Sequence, residues 1–378
     1  MPRPYGVYVH FPWCERKCPY CDFAVSVERP VPGARYARAV LAEMERRAPA
    51  FAGLACRSLY LGGGTPSLWE PEHVASVVSA VRRLGLPAGA EVTLEANPES
   101  VDAPRLAAWQ GAGVNRVSIG VQSFDAAVLA KLGRRHGPEA AEQAVREARR
   151  VFENVSVDLI YGGRRSTVDT ARADAARAAR LGAVHVSAYA LTLDPEVLAE
   201  EVPFARLARA GKLVFPGEAE VLAQARAVRS ALRQAGLARY EISNFARPGF
   251  ASVHNRIYWS GESYLGLGAG SVGCLHECEG AVRWTDHRTP EAWLADVEAG
   301  RLPTAAEERL GAGEVRAEGV MLALRTARGL DPALLPAGKA PEVDALVAGG
   351  LAWRRGRRIV LTARGLDVHS AVAERLMS

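Results

Sequence analysis

Six short apolar, β-branched segments, at residues 7–12, 58–63, 91–97, 116–122, 155–161 and 185–191, are separated by helical stretches. In residues 35–47, 71–83 and 138–152 the apolar side chains return every three to four positions, as on one face of a helix. Strands that alternate with helices imply parallel βα units, and six of them suit either a doubly wound sheet or an incomplete barrel. Polar or glycine residues stand at the C-terminal end of nearly every segment, among them Gly63, Glu95, Asn97, Gln122, Asp158 and Tyr161. A parallel barrel assembles its site at that end, so the expected fold is α/β, a partial (β/α)6 TIM-like barrel.

Beyond residue 191 the pattern is less regular, with helices expected over 205–211 and 216–235 and a glycine-rich region over 259–273. From about residue 307 come helices over 315–326 and 340–349, two strands within 351–361 about the charged turn 354–358, and a last helix over 366–376. Helix, helix and hairpin is the outline of a winged-helix-like module. The expected divisions are a barrel over 1–200, a barrel-extending region over 201–305 and a C-terminal region over 306–378. The hairpin arginines alone are a weak sign of DNA binding, and no nucleic-acid partner is expected. No run approaches the ~18 apolar residues of a membrane span, and the opening MPRPYGVYVHF lacks the apolar core of a signal peptide. The net charge of +5 is scattered beside acids, which reads as a solvated surface.

Half of the chain's six cysteines lie in Cys14-Glu-Arg-Lys-Cys18-Pro-Tyr-Cys21, directly after the first segment. Structural zinc normally takes four protein ligands, often from paired knuckles, and no second knuckle lies nearby. An odd local count without a secretory signal argues against disulfides and for a reducing cytoplasm. Iron-sulfur cubanes are normally held by four thiolates, so three leave one iron open to a non-protein ligand. Gly62-Gly63-Gly64-Thr65-Pro66 follows the second segment, where glycine lets backbone approach a ligand and a threonine hydroxyl adds a hydrogen bond. Glu95, Gln122 and Asp158 at equivalent strand ends suggest a common polar ligand or satisfied polar groups inside a barrel. Arg134 offers a guanidinium that fits a carboxylate bidentately.

The cysteine spacing and the glycine turn together resemble the radical S-adenosylmethionine enzymes, and the likeness to their coproporphyrinogen-oxidase-like branch extends over nearly the whole chain. The resemblance implies a 4Fe-4S cluster on Cys14, Cys18 and Cys21, with S-adenosylmethionine on the open iron. It further implies that Tyr20 lies beside that cofactor and that Tyr8, Gly63, Gly64, Thr65, Glu95, Gln122, Arg134, Asp158 and Ala190 line the cofactor sites. Within the branch the chain looks most like the haem chaperones. Phe23 stands where the oxygen-independent oxidases have a fourth cysteine, and the chain reaches Cys14 without the long extension of those oxidases. His254-Asn255-Arg-Ile-Tyr258-Trp259 reproduces an HNxxYW motif associated with haem binding. Its imidazole suits iron and its aromatic faces suit a macrocycle; the other reading is a core histidine among packed aromatics.

The same resemblance implies haem as cargo, delivered to recipient haemoproteins that include membrane-bound ones, and a one-electron reductant. The expected place is the cytoplasm, peripheral at the membrane. The alternative function is an oxygen-independent coproporphyrinogen III oxidase, and whether the chain is an enzyme stays open. Two segments depart from the family: Tyr161-Gly-Gly-Arg-Arg-Ser166 lacks a usual proline, and Val272 stands where a histidine is common. The loop 268–273 fits GxGxxG but lacks the βαβ context of a dinucleotide fold. Cys274, His276 and Cys278 read either as metal ligands short of a fourth or as a loop with free thiols.

Overall fold

Strands β1 (Pro4–Phe11), β2 (Ala55–Gly63), β3 (Glu91–Ala96), β4 (Arg116–Gln122), β5 (Asn154–Tyr161) and β6 (His185–Ala190) lie side by side in sequence order, each parallel to the next. The computed structural model describes residues 2–194, 198 and 201–377. The expected boundary at residue 200 and the terminal positions 1 and 378 lie outside the described residues. Helices α1 (Gly33–Arg47), α2 (Pro71–Arg83), α3 (Ala103–Gly111), α4 (Ala126–Lys131), α5 (Pro138–Val151) and α6 (Val168–Arg180) fill the crossovers. In α2, a proline in the first turn costs no hydrogen bond, and Val74, Val77, Val78 and Val81 form the buried stripe. The α6 start is fixed by the Thr167 hydroxyl, which accepts from the Thr170 amide.

Along the strands the two faces carry opposite chemistry. Val7, Val9, Leu59, Leu61, Val92, Leu94, Val117, Ile119, Val155, Val157 and Val186 are buried on the face that meets the helices. The alternate positions, His10, Ser58, Glu91, Thr93, Arg116, Ser118, Ser156, His185 and Ser187, are also buried. Strand geometry sends them to the opposite, inner face. The sequence singled out polar groups at the strand ends; they run the length of the interior, where many barrels place branched apolar side chains. They are tolerated because they pair. Ser156 Oγ bonds His185 Nδ1 at 2.8 Å and His185 Nε2 bonds the Tyr240 hydroxyl at 2.9 Å. Ser118 Oγ lies 3.0 and 3.1 Å from the two Asp158 oxygens.

The sheet continues past the barrel at both edges. β7 (Ala238–Arg239) and β8 (Asn244–Ala246) follow β6, with β8 antiparallel to it. On the other side β9 (Ser263–Leu267) runs parallel to β1, and β10 (Val272–His276), β11 (Gly280–Asp286) and β12 (Thr304–Gly311) complete a 12-stranded sheet. The glycine-rich region thus holds strands. Gly268, at φ +95°, is tight because a Cβ there would stand 2.5 Å from the His10 carbonyl oxygen, so its glycine serves packing. A buried ion cluster pins this extension to α1. Arg47 donates to Glu43 at 2.9 Å and to Asp286 at 2.6 Å, while Glu43 also accepts from the Gly268 amide at 2.9 Å.

β12 carries the sheet to Gly311, and a C-terminal unit follows it. It comprises helices Ala312–Leu324 and Ala340–Ala348, the hairpin of β13 (Ala352–Arg355) and β14 (Arg358–Leu361), and helices Ala363–Asp367 and His369–Met377. Val320, Leu324, Leu330, Val343, Leu346, Ile359, Val372 and Leu376 give it a core of its own. It is joined to the barrel by Arg325, which pairs with buried Glu241 at 2.8 Å and stacks 3.9 Å from the Trp259 ring. No helix among the described residues is long and apolar enough to cross a membrane.

Candidate cofactor site

The inner face opens into a cavity of about 400 Å³ at the C-terminal ends of the strands. Twelve of the fourteen residues singled out from the sequence line it: Cys14, Cys18, Cys21, Tyr20, Gly63, Gly64, Thr65, Glu95, Gln122, Arg134, Asp158 and Ala190. The cysteine loop is tied to β1 at its base. Ser26 donates to the Pro12 carbonyl at 2.7 Å and Cys14 donates to the Ser26 carbonyl at 2.9 Å. His10 Nε2 reaches the Ala24 carbonyl at 2.8 Å, which makes it the N–H and leaves Nδ1 to accept from the Tyr8 hydroxyl at 3.0 Å. Tyr8 therefore buttresses the loop; it lines a shallower crevice with Phe23, Tyr258 and Arg288 and does not border the main cavity. Phe23, 55% exposed, borders both.

A chain of hydrogen bonds organises the rim. Thr65 Oγ1 donates to Cys14 Sγ at 3.3 Å and accepts from Asn97 Nδ2 at 3.1 Å. Arg134 donates to Asn97 Oδ1 at 2.5 Å, to the Gly120 carbonyl at 3.0 Å and to Cys18 Sγ at 3.6 Å. Among the described residues its buried Nε has no partner, so one donor of the guanidinium is still to be satisfied. The glycine turn is dictated from behind: a Cβ on Gly63, at φ +112°, would stand 2.6 Å from the His10 ring, and one on Gly64 would stand 2.7 Å from the Trp13 carbonyl oxygen. Glycine here lets β2 close against the cysteine loop. Gln122 holds φ +67° at a register break in β4, a conformation that costs a non-glycine residue about 1 kcal/mol or more and recurs at ligand sites.

Burial sets the electrostatics. Glu95 accepts from the Tyr60 hydroxyl at 2.6 Å and from the Gly63 amide at 3.1 Å, yet burial outweighs both and lifts its pKa to about 7. Burial raises Asp158 as well, against the pull of the serine hydroxyls. Burial also pushes the Cys21 thiol up to about 11 and raises Cys14, which the Thr65 bond opposes. Bound iron would reverse that order, since a metal deprotonates its thiols. Among the described residues no three His, Cys, Asp or Glu side chains converge on a single metal ion. A cubane makes a different demand, each thiolate holding its own iron at a separate corner. Free thiols bordering one cavity, two of them with hydrogen-bond donors on sulfur, match that demand.

His254, read from the sequence either as an iron ligand or as a core histidine, lies apart from the thiols and the glycine turn. It is 1% exposed and borders no part of the cavity. Ser58 Oγ holds Nδ1 at 2.9 Å and the Tyr258 hydroxyl holds Nε2 at 2.8 Å, so both nitrogens are occupied. The ring packs as a core histidine against Tyr60, with centroids 5.2 Å apart. Its neighbour Asn255 borders the cavity instead. Sequence reasoning also missed Tyr60, Arg116, Ser118, Ser187 and Tyr189 in the lining. The signal was present as period-two polar alternation in Arg-Val-Ser-Ile-Gly-Val-Gln of β4 and His-Val-Ser-Ala-Tyr of β6. Cys274 lies buried on β10 in a small cluster with Ala281 and Leu310, while Cys278 is exposed.

A cysteine loop at the mouth of a partial βα barrel is the architecture of radical S-adenosylmethionine proteins, and residues 8–178 match the Radical SAM superfamily model. Over 380 aligned residues the chain is 37% identical to "Heme chaperone HemW" of Mycobacterium tuberculosis, covering 99% of this chain and 95% of that one. It is 35% identical to "Heme chaperone HemW" of Escherichia coli, over 77% of this chain and 76% of that one. The chain belongs to the HemW family of the radical SAM superfamily. In fold it resembles coproporphyrinogen III oxidase (HemN) from Escherichia coli, with a TM-score of 0.80, 22% identity, and coverage of 100% of this chain and 91% of that one.

Proposed function

We propose that this protein is a cytoplasmic haem chaperone that binds a 4Fe-4S cluster, S-adenosylmethionine and haem, and passes haem to recipient haemoproteins. The observation that carries the reading is the convergence on one cavity of three free thiols, the glycine turn, Glu95, Gln122, Arg134 and Asp158. Cys14, Cys18 and Cys21 would hold the cluster and would leave one iron free for S-adenosylmethionine. When bound and reduced by one electron, the pair supplies radical chemistry at the sulfonium. The chain's own part is positioning. Arg134 presents its unfilled Nε to the cofactor carboxylate, Glu95 accepts from a cofactor donor, Asp158 takes the ribose, and Tyr20 and Ala190 border the remainder.

The haem half of the reading is supported by the relatives' printed names and by Phe23, which brings an exposed aromatic ring and no thiol to the cavity mouth. His254 as packed gives iron no free nitrogen, so the haem contact is placed elsewhere. Anaerobically reconstituted protein should bind haem and should yield no protoporphyrinogen from coproporphyrinogen III with reductant and S-adenosylmethionine. Robust turnover without haem binding would replace the chaperone reading with the oxidase.

A further inference from the structure

Asn97 follows β3 directly and borders the cavity, yet the cofactor assignment gives it no part. Its backbone is fixed without help from its side chain. Pro98–Ser100 makes one tight turn, and the Ser100 amide and hydroxyl both donate to the Asn97 carbonyl, at 3.0 and 2.8 Å. The carboxamide is left to serve the rim, where it lies between Thr65 and Arg134.

The direction of each bond it makes there is forced. A guanidinium only donates, so Arg134 Nη2, 2.5 Å away, must meet Oδ1. That leaves Nδ2, which also only donates, facing Thr65 Oγ1 at 3.1 Å. The hydroxyl oxygen accepts from Asn97 and has a single proton left to give. Its other hydrogen-bond partner among the described residues is Cys14 Sγ at 3.3 Å, and at 3% exposure Thr65 is closed to solvent that could compete for that proton. Arg134 meanwhile reaches Cys18 Sγ at 3.6 Å through its other terminal nitrogen. One carboxamide thus orients a donor onto each of two sulfurs. Turned over, it would set its NH2 against the guanidinium and its oxygen would draw the Thr65 proton away from Cys14.

Hydrogen bonds to the sulfurs help to set the potential of an iron-sulfur centre. The reduced state carries one more negative charge, so a donor held on a thiolate stabilises it more than the oxidised state. We propose that Asn97 is a positioning residue that turns the Thr65 proton onto Cys14, holds Arg134 against Cys18, and so raises the reduction potential of a cluster on these cysteines. This rests on the reading of the three thiols as the cluster site.

The test is a redox titration of the anaerobically reconstituted cluster, without S-adenosylmethionine, in wild type, Thr65→Val, Thr65→Ser, Asn97→Leu and the Thr65→Val/Asn97→Leu double variant. Thr65→Val and Asn97→Leu should each make one-electron reduction roughly tenfold less favourable, a potential about 59 mV more negative. Thr65→Ser should keep the wild-type value, and the double variant should fall short of the sum of the two single shifts, because both act through one relay. Asn97→Leu at the wild-type potential, or a shift that adds in full to that of Thr65→Val, overturns the proposal. Resonance Raman of wild type needs no variant to fold: the Fe–S(Cys) stretching bands should move in heavy water, and bands that stay in place overturn the proposal too. A wild type that takes up no cluster removes the cluster reading and the relay with it, whereas an assembled cluster indifferent to Asn97 removes the relay alone.

Discussion

Cys14, Cys18 and Cys21 sit on a loop whose backbone is anchored at its base by Ser26 and Ala24 and otherwise has little secondary structure. Replacing any one with alanine should abolish the cluster, because two remaining thiolates anchor a cubane too weakly; iron content and visible absorption of reconstituted variants report it. For Glu95 the sign of the pH effect is fixed by its raised pKa, about 7. Below that pH the carboxyl gains a proton and ceases to be a full acceptor, so S-adenosylmethionine affinity should fall as pH drops from 8 to 6, by at most about tenfold per unit. Calorimetric titration should show this slope in wild type and a flat profile in Glu95→Gln. His254 makes a second pH prediction. Burial lowers its pKa to about 3, below the ordinary value of 6.5, so the unfolded chain binds the extra proton and stability is lost as pH falls below about 6.5. Its share is up to about 1.4 kcal/mol per pH unit. Urea unfolding at pH 7.5 and 5.5 should show a smaller drop for His254→Asn than for wild type. The sequence leaves His254 open between an iron ligand and a core histidine, and only the fold reveals that Ser58 and Tyr258 claim both nitrogens.

The six parallel strands were legible from apolar segments spaced by helical periodicity, and the cysteine and glycine motifs were legible from spacing alone. The extension β9 to β12 was not. Glycines at 266, 268, 270 and 273 lower strand propensity, and only the tertiary fold shows that close packing requires them. Nor did sequence connect Glu43 and Arg47 on α1 with Asp286 on β11, although these elements are held together by that buried trio. Removing the shared cation leaves two carboxylates buried without it. Arg47→Met should therefore cost ~3–5 kcal/mol in urea unfolding, and adding Glu43→Gln and Asp286→Asn should recover part of that loss. An Arg47→Met protein as stable as wild type would show that the extension is held by its apolar contacts alone.

At the scale of the whole molecule, the C-terminal unit has its own core and meets the rest of the fold through Arg325 with Glu241 and Trp259, Glu318 with Arg283, and Asp367 with Arg226 and Arg229. Arg325→Ala should raise amide exchange across residues 312–377 while leaving the cluster in place, since the latch and the cysteine loop share no residue. The proposed function depends on one cavity holding cluster and S-adenosylmethionine in contact. Electron paramagnetic resonance of the reconstituted protein, chemically reduced with and without S-adenosylmethionine, tests this most directly. Shared occupancy of the cavity predicts a 4Fe-4S signal whose g-values shift on adding S-adenosylmethionine to wild type, and no such shift in Arg134→Leu. A wild-type signal that saturating S-adenosylmethionine leaves unchanged would contradict it.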